Sequence, residues 1–541
     1  MICTRTMCIY RTALAALMLP GLAVAPARAA PIDDALTHFA ADKFPETDRG
    51  IDALIAAGAP TAPAILAALA DGRLFFAPGS HRVYYRDASD TLEDAATGAR
   101  ADGVTEGDLK KVRLNNSIRS KIGAAVGGLD LLSPDRAKRL AAAETAFQAR
   151  DAKAQAAVDA ALARESDPAV KTALAQARAA ILATAGTGSD AERLAAIGVL
   201  RQRGDADALG PIRQMAAAPG ASPAVTTAAA LATSSIGTSL ALWQALQNCW
   251  YGLSLGSVLL LAAIGLAITF GVMGVINMAH GEMVMIGAYA TYVAQQAIGS
   301  VAPGWLDASL LIAVPLAFLV AGAVGIAIER LIIRHLYGRP LETLLATWGV
   351  SLILQQAVRT MFGADNRAVS APSFMAGSFR LGGLEVTSGR MWIVVFTILV
   401  FVALQLVLRA TPFGLRMRAV TQNRRMASAM GISTGRIDAL AFGLGSGIAG
   451  IAGVALSQID NVSPNLGQGY IVDSFMVVVF GGVGNLWGTL VAAMTLGIAN
   501  KFLEPLAGAV LAKIAILVFI VLFIQKRPRG LFALKGRSVE A

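Results

Sequence analysis

The sequence has little charge for its length: 15% of its 541 residues are Asp, Glu, Lys or Arg, whereas a soluble domain carries about 25%. Cysteine and histidine are also scarce, with three and four residues. These are too few for a disulfide framework, and their spacing fits no zinc site. No lysine follows a glycine, so the chain lacks the Gly-Lys pair with which a P-loop holds nucleotide phosphates. These shortages argue against an ordinary soluble enzyme and against a self-contained ATPase. We expect no catalytic residue and no metal ion.

Apolar residues are abundant instead, at 55% of the chain, and the mean hydropathy is +0.59. The net charge of +10 is unevenly placed. From Ala241 onward there are twenty Lys and Arg against eleven Asp and Glu, whereas residues 1–240 are nearly balanced. The excess lies in short loops between apolar stretches, so it does not indicate nucleic-acid binding. The composition predicts a membrane protein with a soluble N-terminal part.

Residues 1–30 resemble a secretory signal peptide. Arg5 and Arg11 give a basic start, residues 12–25 form an apolar core, and Ala27-Arg28-Ala29 is a small-x-small cleavage site. The alternative is an uncleaved anchor helix, but the core is shorter than the roughly 20 residues of a membrane span. Cleavage predicts that residues 31–240 are exported to the periplasm.

Residues 31–240 are rich in alanine and follow a helical pattern. Capping sequences such as Ser166-Asp167-Pro168 and Ser189-Asp190-Ala191-Glu192 recur about every 22 to 33 residues. Short helices at this period predict a HEAT-like helical-repeat domain. The aromatic segment from Leu74 to Tyr85 predicts a small β-hairpin. The expected role is that of a protein-contact or spacer module.

Nine apolar stretches follow and predict an all-α, polytopic membrane domain over residues 241–541, with about eight or nine spans and broken helices. They lie at about 252–270, 280–297, 308–328, 342–361, 391–408, 437–457, 471–484, 488–503 and 507–524. Basic segments at 330–339, 409–436 and 526–537 are predicted to face the cytoplasm by the positive-inside rule. This orientation agrees with an exported N-terminal domain.

Two polar or glycine-rich breaks interrupt the apolar stretches and supply candidates for a translocation path. Broken helices in transporters expose polar groups near the centre of the membrane. The alternative is that both breaks are tight turns at the cytoplasmic surface, which the topology favours for the first one. The candidates are Asn277, His280 and Glu282 in the first break, and Gly481, Gly482, Gly484, Asn485 and Trp487 in the second.

The cytoplasmic loop at 411–432 is the third candidate region. Pro412 and Gly414 start it, and the segment from Met426 to Met430 predicts a short amphipathic helix that ends at Gly431. Such a helix suits docking into a groove of another protein. The alternative is a basic loop that lies on anionic lipid.

These motifs together resemble ABC-transporter permeases of the branched-chain amino acid uptake family over about residues 245–532. The resemblance rests on the runs 274–289, 418–432 and 480–489. The long N-terminal extension is similar to that of the urea-transporter branch. The resemblance therefore implies the permease subunit of an ABC importer, for urea, with a branched-chain or other hydrophobic amino acid as the alternative substrate.

The resemblance also implies partners and a location. The loop at 411–432 would be the coupling helix that contacts a separate ATPase subunit, which uses the ATP, while this chain binds no cofactor. Its implied coupling residues are Gly414, Arg416, Arg418, Asn423, Ala427, Met430 and Gly431. A periplasmic substrate-binding protein, and a second permease subunit or a homodimer, complete the importer. The location implied is the bacterial inner membrane.

The sequence fits two other classes of membrane protein less well than a permease. An ion-coupled carrier needs acids in the middle of spans, but Asp438, Asp460 and Asp473 are predicted at helix ends. An intramembrane hydrolase needs a nucleophile beside a base, and no pattern predicts that Ser446 and His280 meet. Neither class is favoured.

Overall fold

The computed structural model describes residues 31–57, 61–87, 91–101, 104, 109–186 and 188–532. The predicted signal peptide, residues 1–30, lies outside the described residues, and so do Lys535 and Arg537 of the basic C-terminal segment. The chain divides into two compact units between Gly237 and Thr238. Each unit has its own apolar core.

The N-terminal unit is mostly helical and contains one small sheet. Its helices are α1 (Pro31–Ala40), α2 (Phe44–Ala57), α3 (Ala62–Ala70), α4 (Asn116–Asp130), α5 (Arg136–Ala149), α6 (Gln155–Arg164), α7 (Pro168–Ala185), α8 (Asp190–Arg203) and α9 (Leu209–Ala217). Its strands are β1 (Leu74–Phe76), β2 (Val83–Arg86), β3 (Leu92–Asp94) and β4 (Lys110–Lys111).

The predicted hairpin is present, since β1 and β2 pair antiparallel with Leu74 opposite Tyr85. Two further strands extend it to a four-stranded sheet in the order β3-β2-β1-β4. The sequence did not predict them, because strands of two or three residues are too short to show an alternating pattern. The sheet is larger than the predicted hairpin, so this unit departs further from an all-α fold than the sequence indicated.

Helix starts in this unit follow the capping sequences. The Asp167 side chain accepts hydrogen bonds from the first-turn backbone of α7, and Ser189 and Glu192 form a reciprocal capping box at α8. Asp135, rather than Ser133, caps α5. The HEAT-like repeat itself stays a prediction.

The membrane unit consists of long helices and one hairpin of strands. Its helices are α10 (Pro223–Met273, which contains the divide between the units), α11 (His280–Val301), α12 (Ser309–Leu331), α13 (Pro340–Phe362), α14 (Ser388–Ala410), α15 (Pro412–Gln422), α16 (Arg424–Ala429), α17 (Thr434–Ser457), α18 (Leu466–Gly481), α19 (Leu486–Ala507) and α20 (Ala509–Lys526). The strands β5 (Ser378–Leu381) and β6 (Leu384–Thr387) pair antiparallel.

Six segments among the described residues are long and apolar enough to cross a membrane. They are Pro223–Met273, Pro303–His335, Ser388–Ala410, Thr434–Ser457, Leu486–Ala507 and Ala509–Lys526. Three of the nine predicted stretches are missing from this set. Helices α11 and α13 have the length, but polar residues interrupt their apolar runs, and α18 has only 16 residues, about 24 Å of helix against the ~30 Å of a bilayer core.

Helix α17 lies at the centre of the unit and meets its neighbours through glycines. A Cβ atom built on Gly445 would lie 2.6 Å from the Gly265 carbonyl oxygen of α10, and one on Gly450 would lie 2.7 Å from the Ala317 carbonyl oxygen of α12. Gly287 of α11 also packs directly on the Gly450 backbone. Only glycine permits such close approach of helices. The glycines at these contacts therefore allow α10, α11 and α12 to pack closely against α17.

Candidate functional site

The first break is a segment that folds back into the protein. Helix α10 ends where Gly274 adopts a φ of +69°, and the His280 Nε2 atom lies 2.9 Å from the Ala262 carbonyl oxygen. Ala262 precedes the end of α10 by eleven residues, roughly 16 Å of helix. Residues 274–279 therefore run back along α10, and α11 begins in the interior. This geometry differs from a turn at the surface.

Polar contacts hold the fold-back segment in place. The Asn277 side chain accepts a hydrogen bond from the Ala279 backbone at 3.0 Å, and the Thr347 hydroxyl of α13 accepts one from the Met278 backbone at 3.1 Å. Asn277, His280 and Glu282 are all fully buried. The structure thus brings the three predicted residues of this break to the interface of α10, α11 and α13.

Glu282 belongs to a small buried group of neutral hydrogen-bond donors. Its Oε1 atom accepts from the Ser351 hydroxyl at 2.9 Å and from the Gln355 amide at 2.7 Å. Within the described part of the chain, its Oε2 atom has no hydrogen-bond partner. We call Glu282, Ser351 and Gln355 the Glu282 cluster. Sequence reasoning missed Ser351 and Gln355, because nothing local links them to a residue about 70 positions earlier.

Among the described residues, Ser446 and His280 do not form a nucleophile–base pair. Ser446 is buried on α17, and its hydroxyl has no partner among the described residues. The His280 Nε2 atom is engaged by the Ala262 carbonyl. A nucleophile needs a base within about 3.2 Å, and no hydrogen bond joins Ser446 to His280 in the described residues, so the arrangement does not favour hydrolysis.

The second break is a tight turn between α18 and α19. Gly482 and Gly484 have φ values of +103° and +80°, and the Asn485 side chain caps α19 by accepting hydrogen bonds from two backbone amides, one of them that of Trp487 at 3.1 Å. The backbones of Gly481 and Gly488 touch. The turn contacts the end of α10, where Gly484 packs on Gly271. The second break therefore lies beside the last residues of α10, just before the first break begins at Gly274.

A better counterpart of the first break is the start of α18. The Gly467 backbone packs against the Gly281 backbone of α11, so two helices begin side by side in the interior of the unit. Pro464, Gly467 and Gly469 mark this second start in the sequence, but sequence reasoning placed the counterpart some 15 residues too late, at the run that begins with Gly481.

The predicted docking segment contains two helices rather than one. Helix α15 precedes the expected short helix α16, whose cap is the Asn423 side chain, accepting from the Met426 amide at 2.9 Å. Gly431 follows α16 with a φ of +84°. Met426 and Met430 are exposed by 60% and 77%. An exposed, flexible methionine pair at the tip of a helix is suited to contact with another protein.

The other predicted coupling residues hold this segment together. Gly414 packs on the Leu408 backbone, Arg418 donates to the Leu408 carbonyl at 2.5 Å, and Ala427 is buried against the core beneath α16. Arg416 is exposed. The predicted set therefore divides into exposed residues, such as Met430, and residues that fix the backbone.

An ionic contact that the sequence did not reveal ties α16 to α17. The Arg424 guanidinium pairs with both carboxylate oxygens of the fully buried Asp438 and lies 4.8 Å above the ring of Tyr337. Burial raises the pKa of the Tyr337 phenol, which donates to Glu329 of α12 at 3.1 Å. These contacts join α16 to α17 and, through Tyr337, to Glu329 at the end of α12.

The placement of Asp473 corrects one prediction. It is the eighth residue of the 16-residue helix α18 and not at a helix end. Its carboxylate is paired with the Lys513 ammonium of α20 at 2.9 Å. Asp438 is near the start of α17 and Asp460 follows its end, as expected.

Comparisons with known proteins identify the membrane unit. Residues 248–525 match the family described as "Branched-chain amino acid transport system / permease component". The chain belongs to this permease family. The permease is 30% identical over 293 residues to the high-affinity branched-chain amino acid transport system permease protein BraD of Pseudomonas aeruginosa, covering 95% of that protein. It is 32% identical over 297 residues to LivH of Escherichia coli, covering 94% of it.

Similarity also extends to a permease named for another substrate. The ribose import permease protein RbsC of Bacillus subtilis is 32% identical over 116 residues, 36% of its length. The matches to BraD and LivH cover 53% of this chain, and the family match begins at residue 248. No solved structure matches significantly. The relatives are transport permeases, and the N-terminal unit lies outside the family match.

Proposed function

We propose that the chain is the permease subunit of an ABC importer in the bacterial inner membrane and that it transports a branched-chain amino acid. The observation that carries this proposal is the family match over residues 248–525, in which relatives named for branched-chain amino acid transport are covered almost completely. The comparisons thus favour the amino acid over urea, which the resemblance of the N-terminal extension had put first.

Coupling to a separate ATPase is part of the proposal. The pair α15–α16 is the proposed docking element, supported by its exposed methionines and by the link from Arg424 to α17 and α12. The proposed orientation puts this element and the other basic loops in the cytoplasm and residues 31–240 in the periplasm. A periplasmic binding protein and a second permease subunit, identical or different, complete the proposed importer.

Urea remains a second candidate because of one observation: the matched relatives leave the N-terminal unit without a counterpart. Uptake of radiolabelled leucine and urea, measured in a deletion strain with and without the restored gene, decides between them. We expect ATP-dependent leucine uptake. Uptake of urea alone would replace the proposed substrate, and uptake independent of ATP would overturn the ABC assignment.

The docking role has its own test at Gly431. Its φ of +84° disfavours any side chain, and a Cβ atom there meets no atom within 4 Å, so Gly431→Val should change the end of α16 without a clash. We expect ATP hydrolysis to lose its link to transport. Gly435→Val is the matched control, since Gly435 also has open space and has no positive φ. Equal transport in both variants would contradict the docking role.

A further inference from the structure

A cavity of about 200 Å³ lies among α10, α18, α19 and α20. A single water molecule takes up about 30 Å³ in the liquid, so the cavity has room for a small organic molecule. It lies beside Leu255 and Leu259 of α10, 14 to 18 residues before the end of that helix, or roughly 21 to 27 Å. The cavity is therefore in the half of the membrane unit that is away from the basic loops.

The walls of the cavity have two distinct chemistries. One side is aliphatic, with residues such as Leu259, Val477, Leu496 and Ile516. The other side has the Asp473–Lys513 pair at 2.9 Å and, towards the end of α19, the Lys501–Glu504 pair at 2.5 Å. A charge placed among apolar helices is unfavourable unless an opposite charge accompanies it, and in each pair the two charges neutralise each other.

We propose that this cavity is the binding site for the transported amino acid, with Asp473 receiving the α-ammonium and Lys513 receiving the α-carboxylate. The inference rests on the proposed function and names residues of its substrate site. A zwitterion presents the same two charges that Asp473 and Lys513 present to each other. The α-ammonium of the amino acid replaces the Lys513 ammonium beside Asp473, and its α-carboxylate replaces the Asp473 carboxylate beside Lys513. Its branched side chain contacts the aliphatic wall.

The Glu282 cluster lacks this combination. Its donors are neutral, no lysine or arginine pairs with Glu282 among the described residues, and the carboxylate is closed off from solvent. In contrast, the Lys513 side chain is half exposed while Asp473 is nearly buried, so the ion pair lies at the open edge of a cavity. Of these two places, the cavity is the one that offers an opposite charge to both the ammonium and the carboxylate of an amino acid.

The test uses the permease assembled with its ATPase in nanodiscs, without binding protein, and measures the binding of tritiated leucine and valine. Leu496→Phe narrows the aliphatic wall. We expect the preference for leucine over valine to fall at least tenfold, since one methylene in an apolar pocket changes discrimination by about 10 to 200-fold. An unchanged preference in a folded variant would overturn the proposal.

The charged side is tested with the double variant Asp473→Asn/Lys513→Gln. The two amide side chains can still form a hydrogen bond in place of the ion pair. If the ion pair has a purely structural role, the double variant should bind leucine as the wild type does, and that result would contradict the proposed site. We expect at least tenfold weaker leucine binding instead. Asp460→Asn is the matched control, because Asp460 is exposed beyond the end of α17. We expect this variant to bind leucine as the wild type does.

Failure of the inference and failure of the proposed function give different results. If wild-type protein transports leucine but the Leu496 and Asp473/Lys513 variants bind leucine normally, only the cavity assignment is wrong. If wild-type protein transports urea and no amino acid, the proposed substrate is wrong, and the amino-acid site falls with it.

Discussion

Helices of the N-terminal unit start at polar caps and are joined by ion pairs, whereas helices of the membrane unit meet through glycine backbones. In the first unit, Arg203 of α8 pairs with Glu144 of α5 at 2.7 Å and lies 3.8 Å above the Phe147 ring. In the second, Gly287, Gly445 and Gly450 bring helix backbones into contact. In water, caps and ion pairs stabilise helices and their contacts, whereas in lipid close packing is the main attraction between helices. The two units should therefore respond to different substitutions.

The largest effect is expected from Gly287→Leu. The side chain would enter the space filled by the Gly450 backbone, and backbone cannot move aside as a side chain can, so we expect a loss of about 3 kcal/mol or more. Size-exclusion chromatography of a fluorescent fusion measures the folded fraction. Gly469→Leu is the control, because a Cβ atom there meets nothing within 4 Å. Equal folding of the two variants would contradict glycine packing as the basis of this unit.

A smaller effect is expected from Asp438→Asn, which removes the charge that partners Arg424. Breaking a fully buried pair costs about 3–5 kcal/mol, and because the Arg424 side chain is 41% exposed we expect about 2 kcal/mol. ATP hydrolysis per transported molecule should rise as α16 loosens from α17. Glu342→Gln disrupts an exposed pair with Arg339 and should leave that ratio unchanged. If Asp438→Asn hydrolyses as much ATP per transported molecule as the wild type, the Asp438–Arg424 ion pair has no role in coupling ATP hydrolysis to transport.

Loss of a cap in the N-terminal unit should have a smaller, local effect. Ser189→Ala removes one half of the capping box at α8, worth about 1 kcal/mol. Hydrogen exchange of the full-length protein should become faster in the first turn of α8 and stay the same in α17. Thr172→Ala is the control, because the Thr172 hydroxyl donates to the Pro168 carbonyl within its own helix, α7, and does not cap a helix. Equal exchange in the two variants would count against the cap.

The smallest effect is expected from acid. A hydrogen bond from Arg139 holds the pKa of the Glu165 carboxyl below its usual value. A carboxyl whose pKa is lower in the folded protein than in the unfolded chain, where it is about 4.3, stabilises the folded protein at pH values above 4.3. That contribution to stability is lost as the pH falls through the folded-state pKa. The protection of α5 amides, measured against their intrinsic exchange rate at each pH, should therefore fall below about pH 4, and Arg139→Gln should remove the response. A response that persists in the variant would assign it to another group.

Local signals were readable from the sequence, and long-range ones were not. The caps at Asp167 and Ser189, the β1–β2 hairpin and the stop at Gly431 each depend on neighbouring residues, and the structure contains all of them. The same is true of most apolar stretches. Residue type and spacing were enough to indicate the break at Asn277–Glu282 and the loop at 411–432, and the family motifs added the transport function, which composition alone does not indicate.

The remaining features depend on tertiary contacts. Glu282 meets Ser351 and Gln355 about 70 residues later, and Asp473 meets Lys513 forty residues later. No periodicity predicts such partners, because each is set by how whole helices pack. The fold-back of residues 274–279 was missed for a similar reason: a short extended segment looks the same in sequence whether it turns at the surface or returns to the interior.

The turn between α18 and α19 has a consequence for biosynthesis. It is closed by backbone hydrogen bonds that Leu531 and Phe532 donate to the Phe480 and Gly481 carbonyls, at 2.9 and 3.2 Å. Those bonds cannot form until the ribosome has added residues some fifty positions beyond the turn. The α18–α19 turn is therefore held at first by its local contacts, such as the Asn485 cap, and gains these two further bonds only after α20 has been synthesised.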